Sequence, residues 1–345
     1  MSILKTSVAL AAIVAVAAQA QVAAAAGMDD LVAAAKKEGE LTVIALPRDW
    51  CGYGKVIDGF KAKYGLTVNE LNPDASSGGE IEAIKANKGT AGPQAPDVID
   101  VGLSFGPTAK DADGFWYGDY YGVLSFVVNA DIVKSLSTDW ADLQKDEFKN
   151  SVSISGDPRS SNQAIQSVFA SGLSASGSDI AKAADAGLAF FADLSKKGNF
   201  VPVGGNAASL AQGTTPMTIL WDYNGLTARD NLKGNPKIEV IVPKSGVVAG
   251  VYVQAISAYA PHVNAAKLWM EYIYSDEGQL LWLDGYCHPI RFNDLAANGK
   301  IPADMMAKLP PAENYAKAVF PTVEQQAAVK ATLAEKWDTV VAVGQ

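Results

Sequence analysis

The 345-residue sequence is poor in the side chains on which catalysis and metal binding most often depend. It contains two cysteines and two histidines, and neither His262 nor His288 has a second ligand type at metal-binding spacing. A pairing of Cys51 with His288 is conceivable, but nothing around Cys51 predicts an activated thiolate. Gly-x-Ser-x-Gly, Gly-x-x-x-x-Gly-Lys-Ser/Thr and His-Glu-x-x-His motifs are absent. We therefore expect no enzyme activity, no metal and no cofactor.

Clusters of positive charge are also lacking. The formal net charge is −9, and lysine and arginine form no run that would make a basic patch. An acidic surface of this kind repels phosphate backbones and anionic lipids. We expect no nucleic-acid partner.

Long apolar runs are confined to the first 26 residues. There Lys5 precedes an apolar run over residues 8–18 and an alanine tract, an order typical of a secretory signal peptide. A membrane anchor is the alternative, but the run is interrupted and short for a bilayer span. Cleavage after Ala20 or Ala26 fits the small-x-small rule. The sequence predicts an exported protein.

From Met28 onward, helix and strand patterns alternate. Residues 41–46 are almost continuously apolar, which is typical of a strand buried on both faces. A helical pattern, a second strand at 66–71, another helix and a third strand at 97–101 follow. This order predicts a doubly wound α/β lobe. A second α/β set begins near residue 152.

The chain is too long for one hydrophobic core, and two segments suit crossings between lobes. Residues 115–128 are aromatic and then apolar, too long for one regular strand, and the strand-like residues 247–259 return the chain. The predicted limits are 1–26 for the signal peptide, 27–125 and 250–297 for lobe one, and 126–249 and 298–345 for lobe two with C-terminal helices.

Five segments, taken in order, resemble a known family. They are Leu-Val-Ala-Ala-Ala-Lys-Lys-Glu-Gly at 31–39, Ala-Pro-Asp-Val at 95–98, Asp-Gly-Phe-Trp-Tyr-Gly at 113–118, Gly-Asp-Pro at 156–158 and Tyr-Ser-Asp-Glu-Gly-Gln at 274–279. Together they resemble the solute-binding proteins of ATP-driven (ABC) importers of the second structural class. The branch is the one with ferric-iron, thiamine, polyamine and aminoalkylphosphonate receptors.

The resemblance implies a two-lobed α/β fold of type II, in which each lobe is a mostly parallel sheet flanked by helices and two crossing hinge strands join the lobes. It also implies a periplasmic protein that closes around a small-molecule solute and delivers it to ABC permease subunits in the inner membrane. We expect a monomer. A ferric-iron receptor of the same fold, or a ligand-binding partner of a chemoreceptor, are the alternatives.

Iron is disfavoured by the positions of the tyrosines. Where ferric receptors carry a tandem tyrosine pair in the second lobe, this sequence has Trp221-Asp222-Tyr223. The other tandem pair, Tyr120-Tyr121, lies in a predicted strand, where neighbouring side chains point to opposite faces.

Ligands of α/β sheets lie beyond the carboxyl ends of the strands, so the loops there are candidate sites. In lobe one these loops carry Asp49, Trp50, Tyr53, Ser104 and Phe105. Trp50 and Asp49 are the first candidates, with the alternative that Trp50 only covers the core.

In lobe two, a predicted strand ends and a helix begins around Ser160 and Ser161. Unpaired backbone N–H groups there suit an anionic group, although ordinary capping by either serine is equally compatible. Trp221, Asp222 and Tyr223 place two rings around one carboxylate, a combination that attracts cations.

Asp222 could instead be a turn or cap residue. Tyr252, on the return strand, would complete the wall of the site. Together these residue types predict a cationic or zwitterionic organic solute, such as a polyamine, thiamine, an amino acid derivative or an aminophosphonate.

The two cysteines of an exported protein permit a disulfide, and equally two separate thiols. The segment at 286–291 resembles the family's late loop that reaches back over the lobe-one pocket. That resemblance would bring Cys287 near Cys51, and on it we predict a Cys51–Cys287 disulfide.

Overall fold

The computed structural model describes residues 27–109 and 116–341. The predicted signal peptide and the 113–115 part of the family-like segments lie outside the described residues. Within the described part of the chain, no helix has the length and hydrophobicity needed to cross a membrane.

Strands and helices alternate as the sequence predicts. The strands are β1 Glu40–Ile44, β2 Thr67–Leu71, β3 Val98–Gly102, β4 Tyr117–Asn129, β5 Val152–Ile154, β6 Met217–Trp221, β7 Ile238–Ile241, β8 Ala249–Ile256 and β9 His288–Pro289. The α-helices are α1 at 27–38, α2 Tyr53–Tyr64, α3 Ser77–Ala86, α4 Asn162–Ala175, α5 Ala183–Lys197, α6 Ala207–Gln212, α7 Asp222–Leu232, α8 Val263–Ile273, α9 Asp276–Asp284, α10 Phe292–Ala297, α11 Ala303–Lys308 and α12 Val323–Val340.

The strands form a mixed sheet in the order β2-β1-β3-β8-β4-β6-β5, with β7 and β9 also paired to β4. Strand β1 runs parallel to β2 and β3, and β5 runs parallel to β6. Strands β8 and β4 run antiparallel to their neighbours. We call the part around β1, β2 and β3 lobe one, and the part around β5, β6 and β7 lobe two. The predicted sequence limits of the lobes stay a prediction, because β4 and β8 contribute to both.

Strand β4 shows why the aromatic crossing segment is so long. It is one strand of 13 residues, whose first half pairs with β8 and whose second half pairs with β6 and β7. The register against β8 shifts between Gly118 and Tyr121. This β-bulge leaves two successive side chains, Asp119 and Tyr120, fully buried instead of on alternate faces.

The late helical region consists of α8 and α9, separated by a short break. Ser275 caps the start of α9, since its hydroxyl accepts a hydrogen bond from the Gly278 N–H at 3.2 Å. Asp276 and Glu277 in the first turn interact favourably with the positive end of the helix dipole. Beyond α9 the chain returns to the loop after β1, where the Cys51 and Cys287 sulfurs are bonded and their Cα atoms lie 5.3 Å apart.

Candidate binding cleft

A cleft of about 880 Å³ lies between the two lobes. Lobe one contributes the loops after β1 and β2 and the first turn of α3, and lobe two contributes the loop after β5 and parts of α4, α6 and α7. The site therefore forms at the carboxyl ends of strands in both lobes, where ligands of α/β sheets bind. Its volume lies within the range of about 300–1,000 Å³ typical of small-molecule sites.

The charged side chains that line this cleft are acidic. They are Asp49, Asp74, Glu80, Asp100 and Asp157. Among the residues that the structure describes, no lysine, arginine or histidine lines the cleft. Asp157 forms an ion pair with Arg159 at 2.6 Å, which offsets its charge, whereas Asp49 and Asp74 are exposed. The cleft is thus suited to positively charged groups.

Five of the eleven predicted binding residues line the cleft. They are Asp49, Trp50, Ser160, Ser161 and Tyr252. The other six, which do not line it, are Tyr53, Ser104, Phe105, Trp221, Asp222 and Tyr223.

Trp50 lines the cleft and also packs on the core. It is half-buried, and its indole N–H donates to the Tyr120 hydroxyl at 2.8 Å. The rings of Tyr223 and Tyr252 contact it edge-on, with centroids 5.4 and 5.5 Å away. These contacts fix the orientation of a large aromatic surface at the cleft.

The lobe-one residues outside the cleft support it from behind or join it to lobe two. Tyr53 is fully buried, and its hydroxyl donates to Asp100 at 2.8 Å. Ser104 donates to the side-chain oxygen of Asn162 in lobe two at 2.8 Å. Phe105 is buried with the Lys330 ammonium of α12 over its ring, 3.4 Å from the centroid.

The interpretation of Asp222 as a cation-binding group facing the solute is not supported by its position. Asp222 is fully buried; one carboxylate oxygen accepts from the Val123 N–H at 3.0 Å, and the other accepts from the Tyr315 hydroxyl at 2.6 Å. Burial raises the pKa of this carboxyl to about 6, although both donors oppose the shift. The side chain therefore faces the hinge and the C-terminal segment, because β6 passes directly into α7 at this residue.

Trp221 and Tyr223, on either side of Asp222, also serve as support. Both are fully buried. The Trp221 indole donates to the Tyr252 hydroxyl at 3.3 Å, and Tyr223 packs against Trp50. They hold two cleft-lining aromatic residues in place and do not contact the cleft themselves.

The start of α4 forms part of the lobe-two wall. Ser161 precedes this helix without capping it; its hydroxyl donates instead to the Ser155 carbonyl at 3.0 Å. The capping alternative is therefore wrong for Ser161, and the first turn of α4 keeps N–H groups that no side chain at this position satisfies. Asn162 lies beside them, 2% exposed, and its amide nitrogen has no hydrogen-bond partner in the described structure.

Glu80 and Asp100 are two cleft residues that the sequence did not single out. Glu80 is 1% exposed and Asp100 is 4% exposed, and the Glu80 carboxyl accepts from the Asp100 N–H at 2.8 Å. Burial raises the pKa of both, that of Asp100 to about 6 and that of Glu80 well above its usual range. The signal that could have revealed Asp100 is a carboxylate in the middle of a strand expected to be buried on both faces.

Among residues 27–109 and 116–341, no group of three or more histidine, cysteine or carboxylate side chains is arranged to hold a metal ion. Tyr120 and Tyr121 point to different surroundings, as expected for a strand: Tyr120 stacks on Tyr252, and Tyr121 contacts His288.

Solved structures share this architecture. The chain is similar to the periplasmic binding protein MotA from A. tumefaciens B6 in complex with glucopine, with a TM-score of 0.68, 16% identity and coverage of 88% of this chain and 99% of that one. It is also similar to AfuA from Actinobacillus pleuropneumoniae with fructose-6-phosphate bound (TM-score 0.63, 20% identity, coverage 89% and 99%). A third is a putative spermidine/putrescine ABC transporter from Listeria monocytogenes (TM-score 0.62, 14% identity, coverage 87% and 99%). These likenesses confirm the predicted two-lobed α/β fold.

No curated protein sequence matches the chain. Residues 93–325 match the family model described as bacterial extracellular solute-binding protein. The match spans β3, the two crossing strands β4 and β8, and the lobe-two strands β5, β6 and β7. The family consists of binding proteins and not enzymes. The chain therefore belongs to the bacterial extracellular solute-binding proteins, the family that captures solutes for ABC importers.

Proposed function

We propose that this protein captures a small cationic or zwitterionic organic solute and delivers it to the permease of an ABC importer. The observation that carries the proposal is the charge of the cleft, whose charged lining residues are carboxylic acids. Each of these carboxylic acids that is ionised attracts a positively charged group of the solute and repels an anion.

The aromatic side chains support the same class of solute. Trp50 and Tyr252 line the cleft together with Asp100. An ammonium group bound there would interact with a carboxylate and with the electron-rich faces of the aromatic rings. The exposed carboxylates of Asp49 and Asp74 lie on the same lobe and can hold a second positive group.

A zwitterionic solute finds a complementary wall in lobe two. The first turn of α4 presents backbone N–H groups and the unpartnered Asn162 amide, which together favour a carboxylate or phosphonate. An amino acid derivative or aminophosphonate would therefore place its amine toward lobe one and its acid toward lobe two.

The fold by itself leaves the charge of the solute open. One similar structure is described with fructose-6-phosphate bound and another as a spermidine/putrescine transporter. The choice between these classes rests on the residues of this cleft, which favour the amine.

Capture follows from closure of the lobes about the strands they share. The solute binds between them, and its greater affinity for the closed form shifts the population toward that form. Strands β4 and β8 supply the crossings, and the Ser104–Asn162 hydrogen bond is one of the contacts that join the lobes.

A ligand screen by thermal unfolding tests the proposal. The protein, refolded to remove any copurified solute, is heated with putrescine, spermidine, 4-aminobutyrate, thiamine, an aminophosphonate, fructose 6-phosphate and ferric citrate. Ligand at 100 times its Kd stabilises by about 2.7 kcal/mol, which is a readily visible shift. We expect the shift with an amine or zwitterion. A shift with fructose 6-phosphate or ferric citrate alone would contradict the proposal.

Two matched variants locate the binding. Asp49→Asn removes a charge from the cleft lining, and Asp304→Asn makes the same change on α11, away from the cleft. We expect Asp49→Asn to weaken binding of the amine severalfold and Asp304→Asn to leave the affinity unchanged.

Export and oligomeric state have separate tests. Family membership implies a periplasmic location, and we propose that residues 1–26 are a signal peptide removed on export. Amino-terminal sequencing of the periplasmic protein would show a start at residue 21 or 27.

We also propose a monomer, which light scattering of the purified protein would report as a mass near that of one chain.

A further inference from the structure

Two carboxyl groups meet beneath the floor of the cleft. Asp100 of β3 lines the cleft, and Asp119 of β4 is fully buried behind it. Strand β8 runs between them and pairs through Gln254 with both Asp100 and Tyr117. The bulge in β4 turns Asp119 inward at this level.

Each of the two carboxyl groups has one oxygen that is satisfied and one that is not. Oδ2 of Asp100 accepts from the Tyr53 and Tyr120 hydroxyls at 2.8 and 2.6 Å, and Oδ1 of Asp119 accepts from the Tyr120 N–H at 2.8 Å. Oδ1 of Asp100 and Oδ2 of Asp119 are buried without a hydrogen-bond donor in the described structure. Buried acceptors rarely lack a donor, so this pair of oxygens calls for one.

A proton on one of the carboxyl groups supplies such a donor between them. Burial raises the pKa of both groups, and at Asp119 the negative charge of Asp100 and a hydrogen bond between the two carboxyls add to the shift. Hydrogen bonds from the Tyr120 N–H and the Gln254 side chain oppose the shift at Asp119 without cancelling it. Two carboxylates in one site cannot both ionise without a large cost, and they keep one proton between them.

The surroundings supply no positive charge from the groups that act on the pair. Among the described residues, those titratable groups are Tyr53 on α2, Glu80 on α3, Tyr120 on β4, Tyr223 on α7, Tyr252 on β8 and Tyr274 after α8. Burial raises the pKa of each of them, and neither a tyrosine nor a glutamate carries a positive charge in any protonation state. The positive charge that would balance an ionised pair has to come from the cleft.

We propose that Asp100 and Asp119 share one proton in the unliganded protein, and that an ammonium group of the solute binds at Asp100 and displaces this proton to solvent. The inference rests on the proposed function, because it requires a cationic solute. The O–H bond breaks, the proton passes to water or buffer, and the ammonium N–H groups donate to the carboxylates in its place. The ligand class is therefore a protonated primary or secondary amine. A quaternary ammonium has no N–H to replace the proton.

Proton release makes affinity depend on pH in a defined direction. The unliganded protein holds a proton that the liganded protein does not, so binding is favoured as pH rises. Affinity should weaken by up to tenfold for each pH unit of acidification over the range in which the pair is protonated only in the unliganded form.

Calorimetric titration tests this with putrescine and spermidine as probes. At pH 6.5 each is titrated in two buffers that differ in protonation enthalpy, because a released proton adds the heat of buffer protonation. We expect the wild-type protein to release between half a proton and one proton per bound amine. Asp119→Asn should release none. Asp74→Asn, which changes an exposed carboxylate of the cleft lining, should bind more weakly and release as much as the wild type.

The outcomes separate the two levels of the argument. Amine binding with a heat independent of buffer in the wild-type protein overturns the shared proton and leaves the proposed function standing, and this arm requires no variant to fold. Equal affinity for putrescine and its fully N-methylated analogue overturns the requirement for N–H donors. Failure of every amine and zwitterion, alongside binding of a sugar phosphate, overturns the proposed function and this inference together.

Discussion

Ser104 and Asn162 connect the lobes through a side-chain hydrogen bond in which the Ser104 hydroxyl donates to the Asn162 oxygen at 2.8 Å. Both residues are 2% exposed, and Asn162 also lines the cleft. Gly102 allows this close approach, since a Cβ there would lie 2.0 Å from the Asn162 side chain. Asn162 thus joins the opposite lobe through its side-chain oxygen and contributes to the cleft lining.

Removal of this contact should weaken solute binding. Ser104→Ala leaves the Asn162 oxygen buried without its donor in the closed form, a cost of about 1–2 kcal/mol or roughly 5- to 30-fold in affinity. Calorimetric titration with the solute found in the screen measures it. Ser167→Ala is the control, because its hydroxyl bonds the Gln163 carbonyl within α4. An equal loss of affinity in both variants would contradict a role in closure.

Trp50 should contribute to affinity through its ring. Trp50→Ala removes the aromatic surface at the cleft, and loss of a cation–π contact of about 1–2 kcal/mol predicts roughly 5- to 30-fold weaker binding of an amine. Trp50→Phe keeps a ring against Tyr223 and should lose less. Phe320→Ala, which removes a 53% exposed ring elsewhere, serves as the control. Wild-type affinity in Trp50→Ala would show that the ring only covers the core.

Asp222 should reduce stability at neutral pH. Its folded-state pKa of about 6 lies above the ordinary value of 3.8, so the folded protein takes up a proton more readily than the unfolded chain. This contribution therefore stabilises the fold as pH falls from 7 toward 4. Asp222→Asn removes the buried charge and should raise the free energy of unfolding at pH 7 by roughly 2 kcal/mol.

Denaturant unfolding at pH 4.5 and pH 7 measures this difference. The increase in the free energy of unfolding caused by Asp222→Asn should be smaller at pH 4.5 than at pH 7. Asp304→Asn, on the surface, should change the free energy of unfolding little at either pH. A loss of stability at pH 7 in Asp222→Asn would show that the Tyr315 and Val123 hydrogen bonds outweigh the cost of burying the charge.

The Cys51–Cys287 disulfide should add substantially to stability. It closes a loop with a sequence separation of 236 residues, and the chain-entropy model assigns such a loop on the order of 5 kcal/mol. The double variant Cys51→Ala/Cys287→Ala, compared with the oxidised wild type by denaturant unfolding, measures the contribution. Labelling of both cysteines by an alkylating reagent in the native, non-reduced protein would contradict the bond.

The sequence predicted the architecture because its signals are local. Buried parallel strands such as β1 and β3 are short apolar runs, and helices such as α2 repeat apolar residues at helical spacing. The rule that ligands bind beyond strand ends then located the loops carrying Asp49, Trp50 and Ser160, which line the cleft.

The orientation of individual side chains depended on contacts distant in sequence. Asp222 stands at a strand end, but its partner Tyr315 is 93 residues later, and no local pattern indicates that pairing. Asp100 belongs to a strand whose apolar pattern predicts burial in the core, and its place in the cleft lining depends on the position of lobe two. Helix and strand periodicity predicts which side chains lie on the same face of an element. The packing of the lobes determines which residues, or which cavity, that face contacts.

Strand β4 has a further consequence for how the molecule unfolds. Its 13 residues donate and accept hydrogen bonds in the sheets of both lobes, and β8 likewise lies between β3 and β4. Unfolding of either lobe would remove backbone hydrogen-bond partners from strands of the other lobe. The two lobes should therefore unfold in one cooperative transition and not in two. Backbone amides of β4 should accordingly be among the slowest in the protein to exchange with solvent deuterium.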